Sequence, residues 1–285
     1  MNPCLRTMTL ADIPSGMRLK EIAGWNQTQD DWDRFFRAEP QGCFLAEWDG
    51  QVAGTVATIV YEQRFAWVSM VLVDPTFRGK GIGTALLVQA LEYLDAKRVP
   101  CVKLDATPQG KPLYTRLGFR IEYELERHRL RRAPDAIAAE PLRVPNLPVI
   151  DSDALFQLDR EVFGADRSEL LRSMATVAPE LPSVVCSDGG VDAYILGRNG
   201  SLADHLGPWV AVNAGAAREV FENSLARSRR ELVFVDVVRD NPWATALLAE
   251  KGFQFSRPLT RMYRGENAHP GRPELLGAIV GPEFG

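Results

Sequence analysis

Cysteine and histidine are scarce in this 285-residue chain, and neither clusters. The four cysteines, Cys4, Cys43, Cys101 and Cys186, are far apart in sequence, and so are the three histidines, His128, His205 and His269. Zinc sites draw on Cys-x-x-Cys or His-x-x-x-His spacing, which is missing here, so metal binding is not expected. Scattered thiols fit a reducing cytoplasm better than a disulfide framework. Long apolar runs are also lacking: no stretch approaches the roughly 20 residues of a membrane-spanning helix. The opening Met1-Asn2-Pro3-Cys4-Leu5-Arg6 has no apolar signal-peptide core, so neither export nor membrane attachment is expected. Nor is there an excess of positive charge. The 33 Lys and Arg against 37 Asp and Glu give a net charge of −4, which argues against nucleic acid as a partner.

What is present reads as a soluble globular protein. Hydrophobic residues make up 46% and charged residues 25%, ordinary values that exclude disorder. At roughly 150 residues per domain, the length predicts two domains. Between Arg131 and Pro148 the prolines Pro134, Pro141, Pro145 and Pro148 disfavour helix and central strand, which predicts a linker over 134–148.

The two halves resemble each other. Cys101-Val-Lys-Leu-Asp105 leads to Leu113-Tyr114-Thr115-Arg116-Leu117-Gly118-Phe119, and Leu232-Val-Phe-Val-Asp236 leads to Leu247-Leu248-Ala249-Glu250-Lys251-Gly252-Phe253. Each pattern predicts a strand, a short helix, a glycine at the helix C′ position and a new strand opening on Phe. A helix is predicted before each strand, carrying Leu87, Leu91 and Leu94 on one stripe and Ala217, Phe221 and Leu225 on the other. Two mixed α/β domains of similar topology follow.

The sharpest local feature is Val71-Leu72-Val73-Asp74-Pro75-Thr76-Phe77-Arg78-Gly79-Lys80-Gly81-Ile82-Gly83-Thr84. An apolar strand enters a loop with glycine at alternate positions, and a helix follows from about Thr84. Such a backbone approaches a ligand closely and turns successive N–H groups one way, while the helix start favours an anion. Arg78 and Lys80 add positive charge. Pyrophosphate binding is the chemistry invited. The spacing fits neither Gly-x-x-x-x-Gly-Lys-Ser/Thr nor a dinucleotide fingerprint.

Together, the loop and the later Leu113-Tyr114-x-x-Leu117-Gly118-Phe119 closely resemble the GNAT superfamily of acyl-CoA-dependent N-acyltransferases, over roughly residues 5–130. Upstream, Leu5 to Met8 reads as a strand, 9–22 and 29–37 as helices, and 42–56 as a hairpin turning at Asp49-Gly50. The resemblance implies an N-terminal acetyltransferase domain over 1–133 and a degenerate copy over 149–285, each a mixed, splayed sheet flanked by helices. It implies that the amides of Gly79, Lys80, Gly81, Ile82, Gly83 and Thr84, with Arg78 beside them, hold the pyrophosphate of acetyl-CoA. Val71, Leu72 and Val73 would offer main-chain groups to the pantetheine arm, and one N–H would polarise the thioester carbonyl. Tyr114 stands where the family commonly has a proton donor to the sulfur. An asparagine common in the family is replaced by Thr107, implying a reshaped loop.

A base for the incoming amine is sought in Glu62 and Asp105, each also readable as a solvated strand-end carboxylate. Trp25, Asn26, Gln27 and Trp67 are candidates for the acceptor pocket. The second half keeps Asn241 but has Leu248 at the tyrosine position, and Gly207 to Arg218 contains a single interior glycine, Gly215. One active site is therefore predicted. The second half would complete the acceptor pocket, pack on the first, or mediate oligomerisation as a homodimer. The leading expectation is acetyl transfer from acetyl-CoA to a small-molecule amine by direct attack. The alternatives are a protein or peptide N-acetyltransferase, favoured by an acidic, open groove near Tyr114, and a non-catalytic acyl-CoA sensor.

Overall fold

The computed structural model describes residues 3–133, 153–188 and 190–285. The linker predicted over 134–148 lies outside the described residues. In the first half β1 (Cys4–Thr7), α1 (Ile13–Ile22), α2 (Gln29–Ala38), β2 (Cys43–Trp48) and β3 (Gln51–Tyr61) precede β4 (Phe65–Val73). The β2–β3 turn holds Asp49 at φ 50° and Gly50 at φ 74°, the two left-handed positions that make Asp-Gly a hairpin turn. Then come α3 (Ile82–Ala96), β5 (Cys101–Ala106), α4 (Lys111–Arg116) and β6 (Arg120–Arg131). The second half follows the same plan: α5 (Asp153–Phe163), α6 (Ser168–Val177), β7 (Ser183–Ser187), β8 (Gly190–Asn199), β9 (Asp204–Ala211), α7 (Ala214–Arg227), β10 (Leu232–Val238), α8 (Pro242–Glu250) and β11 (Gln254–Gly265). The short β12 (Leu276–Ala278) comes last.

The internal repeat is visible in individual bonds. Gly118 (φ 86°) and Gly252 (φ 78°) both take the left-handed conformation after their helices. The Phe119 N–H donates to Tyr114 O at 3.1 Å and the Phe253 N–H to Leu248 O at 2.9 Å, so both helices end in the same six-residue closure. The predicted apolar stripes are buried as well: Leu87, Leu91 and Leu94 on α3, and Ala217 and Phe221 on α7 with Leu225 packed partly buried beside them.

The two halves do not form separate sheets. All twelve described strands join in the order β1-β2-β3-β4-β5-β11-β6-β10-β12-β9-β8-β7. The first half's β5 pairs with the second half's β11, and the second half's β10 pairs with the first half's β6. Each half has lent its last long strand to the other. The core repeats this exchange. One apolar cluster lies within the first half plus Met262, and one lies within the second half plus Leu130. A third joins Trp32, Tyr61, Phe65 and Trp67 to Phe163, Tyr194 and Phe284 across the join. Phe163 packs edge-on to Tyr61 at 5.0 Å and to Phe65 at 5.2 Å.

Candidate active site

Parallel pairing between β4 and β5 is confined to Ala66↔Val102 and Trp67↔Lys103. Beyond Trp67 the strands diverge, and a cleft of about 770 Å³ opens between them. That size lies in the usual range for ligand sites, roughly 300–1,000 Å³. Residues 68–73 of β4 form one wall, and the glycine loop and α4 form the mouth. The second half supplies Arg257, Leu259, Pro282 and Glu283 to the lining.

The wall is irregular at one point. Between Thr55↔Leu72 and Ala57↔Ser69 the β3–β4 register slips, and Met70 sits at φ 52°. A bulge of this kind leaves ladder groups without strand partners and re-aims them. Thr55 Oγ1 donates to Met70 O at 2.9 Å, which holds the bulge in shape. Beside it, the buried Ser69 Oγ has no hydrogen-bond partner among the described residues, and Ser69 lines the cleft.

At the mouth, Asp74 Oδ1 accepts from the Thr76 N–H at 3.0 Å, and Arg18 Nη1 donates to Asp74 Oδ2 at 2.6 Å, tying the loop to α1. With that guanidinium first and the Thr76 bonds next, the Asp74 carboxyl is held down at about 2. Gly79 and Gly81 have φ of 78° and 77°, a conformation that side chains resist. A Cβ on Gly83 would stand 3.4 Å from Val73 Cγ2, so the helix start is drawn close to the strand. The first amides of α3 have no partner within the helix. Arg78 lines the cleft. Lys80 does not: its ammonium lies 4.6 Å from the Trp48 ring and 5.1 Å from that of Phe77, so its charge is turned to the loop's outer side.

Tyr114 faces the cleft from α4. Its ring packs edge-on to Phe119 at 6.0 Å and so close to Gly110 that a Cβ there would stand 2.8 Å from Cε2. The phenol makes no hydrogen bond among the described residues, and burial pushes it up to about 12. Thr107 turns the chain into this helix, its Oγ1 accepting from the Gly110 N–H at 3.2 Å.

Besides the Lys80 charge, four candidates for the base and the acceptor pocket are corrected by the geometry. Glu62 is not among the cleft residues; Arg160 donates to both its oxygens at 2.8 and 3.0 Å, and the Asp166 N–H adds a bond at 2.8 Å. The Asp105 side chain is fully buried, and Arg261 grips both its oxygens at 2.9 Å, leaving the residue's main chain to face the cleft. Burial raises the Asp105 pKa and Arg261 opposes the rise. Asn26 is spent on the join between the halves: Oδ1 accepts from the N–H groups of Leu202 and Ala203 at 2.9 and 3.0 Å. Trp67 is fully buried, its Nε1 donating to Pro282 O at 3.0 Å. Trp25 and Gln27 do line the cleft. Sequence reading missed Ser69, Arg257 and Glu283. Arg257 and Glu283 belong to the second half and reach the site only through the strand exchange.

The equivalent place in the second half is occupied by the chain itself. β9 and β10 pair in parallel at Val233↔Asp204 and Phe234↔His205. Where they would splay, β12 inserts and bonds both, at Val237↔Ala278 and at Leu276↔Val210. Asn213 Oδ1 accepts from the Ala216 N–H at 2.9 Å, capping α7 where the first half has its open glycine loop.

The family descriptions Acetyltransferase (GNAT) family and Acetyltransferase (GNAT) domain match residues 14–119 and 155–277. An N-alpha-acetyltransferase from Arabidopsis thaliana is 30% identical over 45% of this chain and 70% of its own. The chain belongs to the GNAT acetyltransferases. It is a tandem GNAT protein and an acyl-CoA-dependent N-acetyltransferase. The holothin acyltransferase of Pseudoalteromonas sp. is 26% identical over 92% of this chain and 87% of its own. A solved structure from Pyrococcus horikoshii has the same fold throughout, with a TM-score of 0.82 at 20% identity over 100% of this chain and 96% of its own. No described helix is long and apolar enough to cross a membrane.

Proposed function

We propose that the chain transfers an acetyl group from acetyl-CoA to a primary amine of a small molecule by direct attack in a ternary complex. The observation that carries this reading is the cleft in which the open glycine loop, the bulged β4 and the unpartnered Tyr114 phenol meet. The residues fit the co-substrate. Gly79 and Gly81 adopt turns that leave their amides free for a pyrophosphate, with Lys80, Ile82, Gly83 and Thr84 continuing the cradle and Arg78 beside it. Val71, Leu72 and Val73 offer main-chain groups along the diverging strand. Bound acetyl-CoA supplies an activated acyl group. An N–H at the bulge then stabilises charge developing on the carbonyl oxygen. Tyr114, protonated at neutral pH, donates to the departing sulfur.

No free carboxylate lines the cleft among the described residues. Asp105 is held by Arg261, and Glu283 by Arg198 and by Gln27 Nε2 at 2.8 Å. The acceptor therefore loses its proton to water. Burial in the cleft lowers an ammonium pKa and assists that loss. The same charge balance argues against a cationic peptide as acceptor, since the groove is not acidic. β12 filling the equivalent splay supports one site per chain. Thiol release from acetyl-CoA, measured across simple amines and peptides, tests the reading. Release that depends on a small amine supports it; tight acetyl-CoA binding with no amine-dependent release contradicts it.

A further inference from the structure

Four arginines gather where the two halves meet behind the cleft, and three are neutralised. Arg127 makes a two-pronged bond to Asp236 at 2.8 and 2.7 Å. Arg198 bonds Asp31 at 2.9 Å and Glu283. Arg261 holds Asp105. The fourth, Arg257, has no hydrogen bond or ion pair among the described residues, and its Nε is buried without a partner. It is also the one of the four that lines the cleft.

The backbone brings it there. Between Phe255↔His128 and Arg257↔Arg127, β11 carries an extra residue, Ser256. Such a bulge re-aims the strand that carries it. From Arg257 onward, alternate residues share a face, which puts Arg257 in line with Leu259, another residue that lines the cleft. Burial and the neighbouring Arg127 push the Arg257 guanidinium down to about 10, and it stays charged at neutral pH. A desolvated guanidinium is costly without an anion, and its planar fork suits a carboxylate or phosphate.

We propose that Arg257 docks an oxyanionic group, carboxylate or phosphate ester, carried by the amine acceptor. This inference rests on the acceptor reading above and narrows it to amines that bear a negative charge at their far end. The proposal assigns the second half a direct part in acceptor choice, through a strand lent to the catalytic half.

The test compares matched acceptors by thiol release. ω-Amino acids of two to six carbons are set against their amides, and 2-aminoethyl phosphate against ethanolamine. At least one anionic member should exceed its neutral partner about tenfold or more in kcat/KM, mainly through KM. The carboxylate and phosphate arms show which oxyanion fits. Arg257→Gln should bring the two members of that pair together, and Arg257→Lys should keep part of the preference. Equal use of anionic and neutral members by the unaltered protein would overturn the proposal while leaving small-amine transfer standing. So would a preference that survives Arg257→Gln alongside a raised KM for acetyl-CoA, since Arg257 would then serve the co-substrate. Absence of turnover with every amine, with acetyl-CoA still bound, would overturn the transfer reading and this proposal together.

Discussion

Tyr114 shows how much of a residue's chemistry is set by its immediate chain. The turn at Thr107 starts α4, Gly110 leaves room for the ring, and Phe119 backs it at 6.0 Å. With its phenol pushed up to about 12, Tyr114 stays protonated across the working range and can act as an acid throughout. Tyr114→Phe removes the proton without disturbing the ring contacts. It should lower kcat by about 10²-fold or more, the typical worth of a positioned acid, with little change in acetyl-CoA affinity. Because the raised value lies far above neutrality, loss of the Tyr114 proton should cause no fall in kcat below about pH 10. An alkaline limb near pH 8 that disappears in Tyr114→Phe would contradict this.

The glycine loop and Tyr114 of the candidate site were legible in the sequence because both follow from local spacing along the chain, and both line the cleft. The acceptor end was not. Glu62, Asn26 and Trp67 look chemically suitable in sequence, yet each is engaged by a partner at least about 100 residues away: Arg160, Ala203 and Pro282. No local pattern announces such a partner. Ser69 gave no local signal either, because its orphaned hydroxyl depends on the bulge at Met70. An irregular register is invisible to alternation counting.

At the scale of elements, the site is made by strands that part company. β4 and β5 separate after two paired residues, whereas β9 and β10 have β12 between them. The glycine count foretold the lost loop of the second half but not the inserted strand. Beneath this region β9, β10 and β6 meet at His205, Asp236 and Arg127, all buried. Burial lowers the His205 pKa, outweighing the opposing pull of Asp236, while Arg127 and Arg198 add to the lowering. The unfolded chain takes up this proton near pH 6.5 and the folded one only further down. The stability tied to His205 is therefore intact above about pH 6.5 and is lost as pH falls toward the folded value. Thermal melts between pH 7 and pH 5 should show a falling Tm, and His205→Gln should flatten that fall. An unchanged slope in the variant would contradict the assignment.

At the scale of the whole molecule, the halves are two copies of one fold joined by exchanged strands. The repeat and the mixed α/β class were readable from the matched strand-helix-Gly-Phe patterns, and the splay of the sheet from the family resemblance alone. The exchange was not, because β6 and β11 carry strand signals that fit either partner. Its consequence is cooperative. A chain ending at 133 would leave β5 without β11, and β6 without both its neighbours. Unpaired edges of that length invite aggregation. Residues 1–133 alone should fail to give a folded monomer with acetyl-CoA affinity, and the full chain should unfold in one main transition. A stable, acetyl-CoA-binding fragment would show that the exchange is dispensable.

Calorimetric titration of the full chain with acetyl-CoA bears most directly on the proposal of one site per chain, in the cleft between β4 and β5. One molecule should bind per chain, and Gly81→Glu, which sets a side chain and a negative charge at a left-handed position of the loop, should abolish the heat. Two molecules per chain, or unchanged affinity in Gly81→Glu, would contradict it.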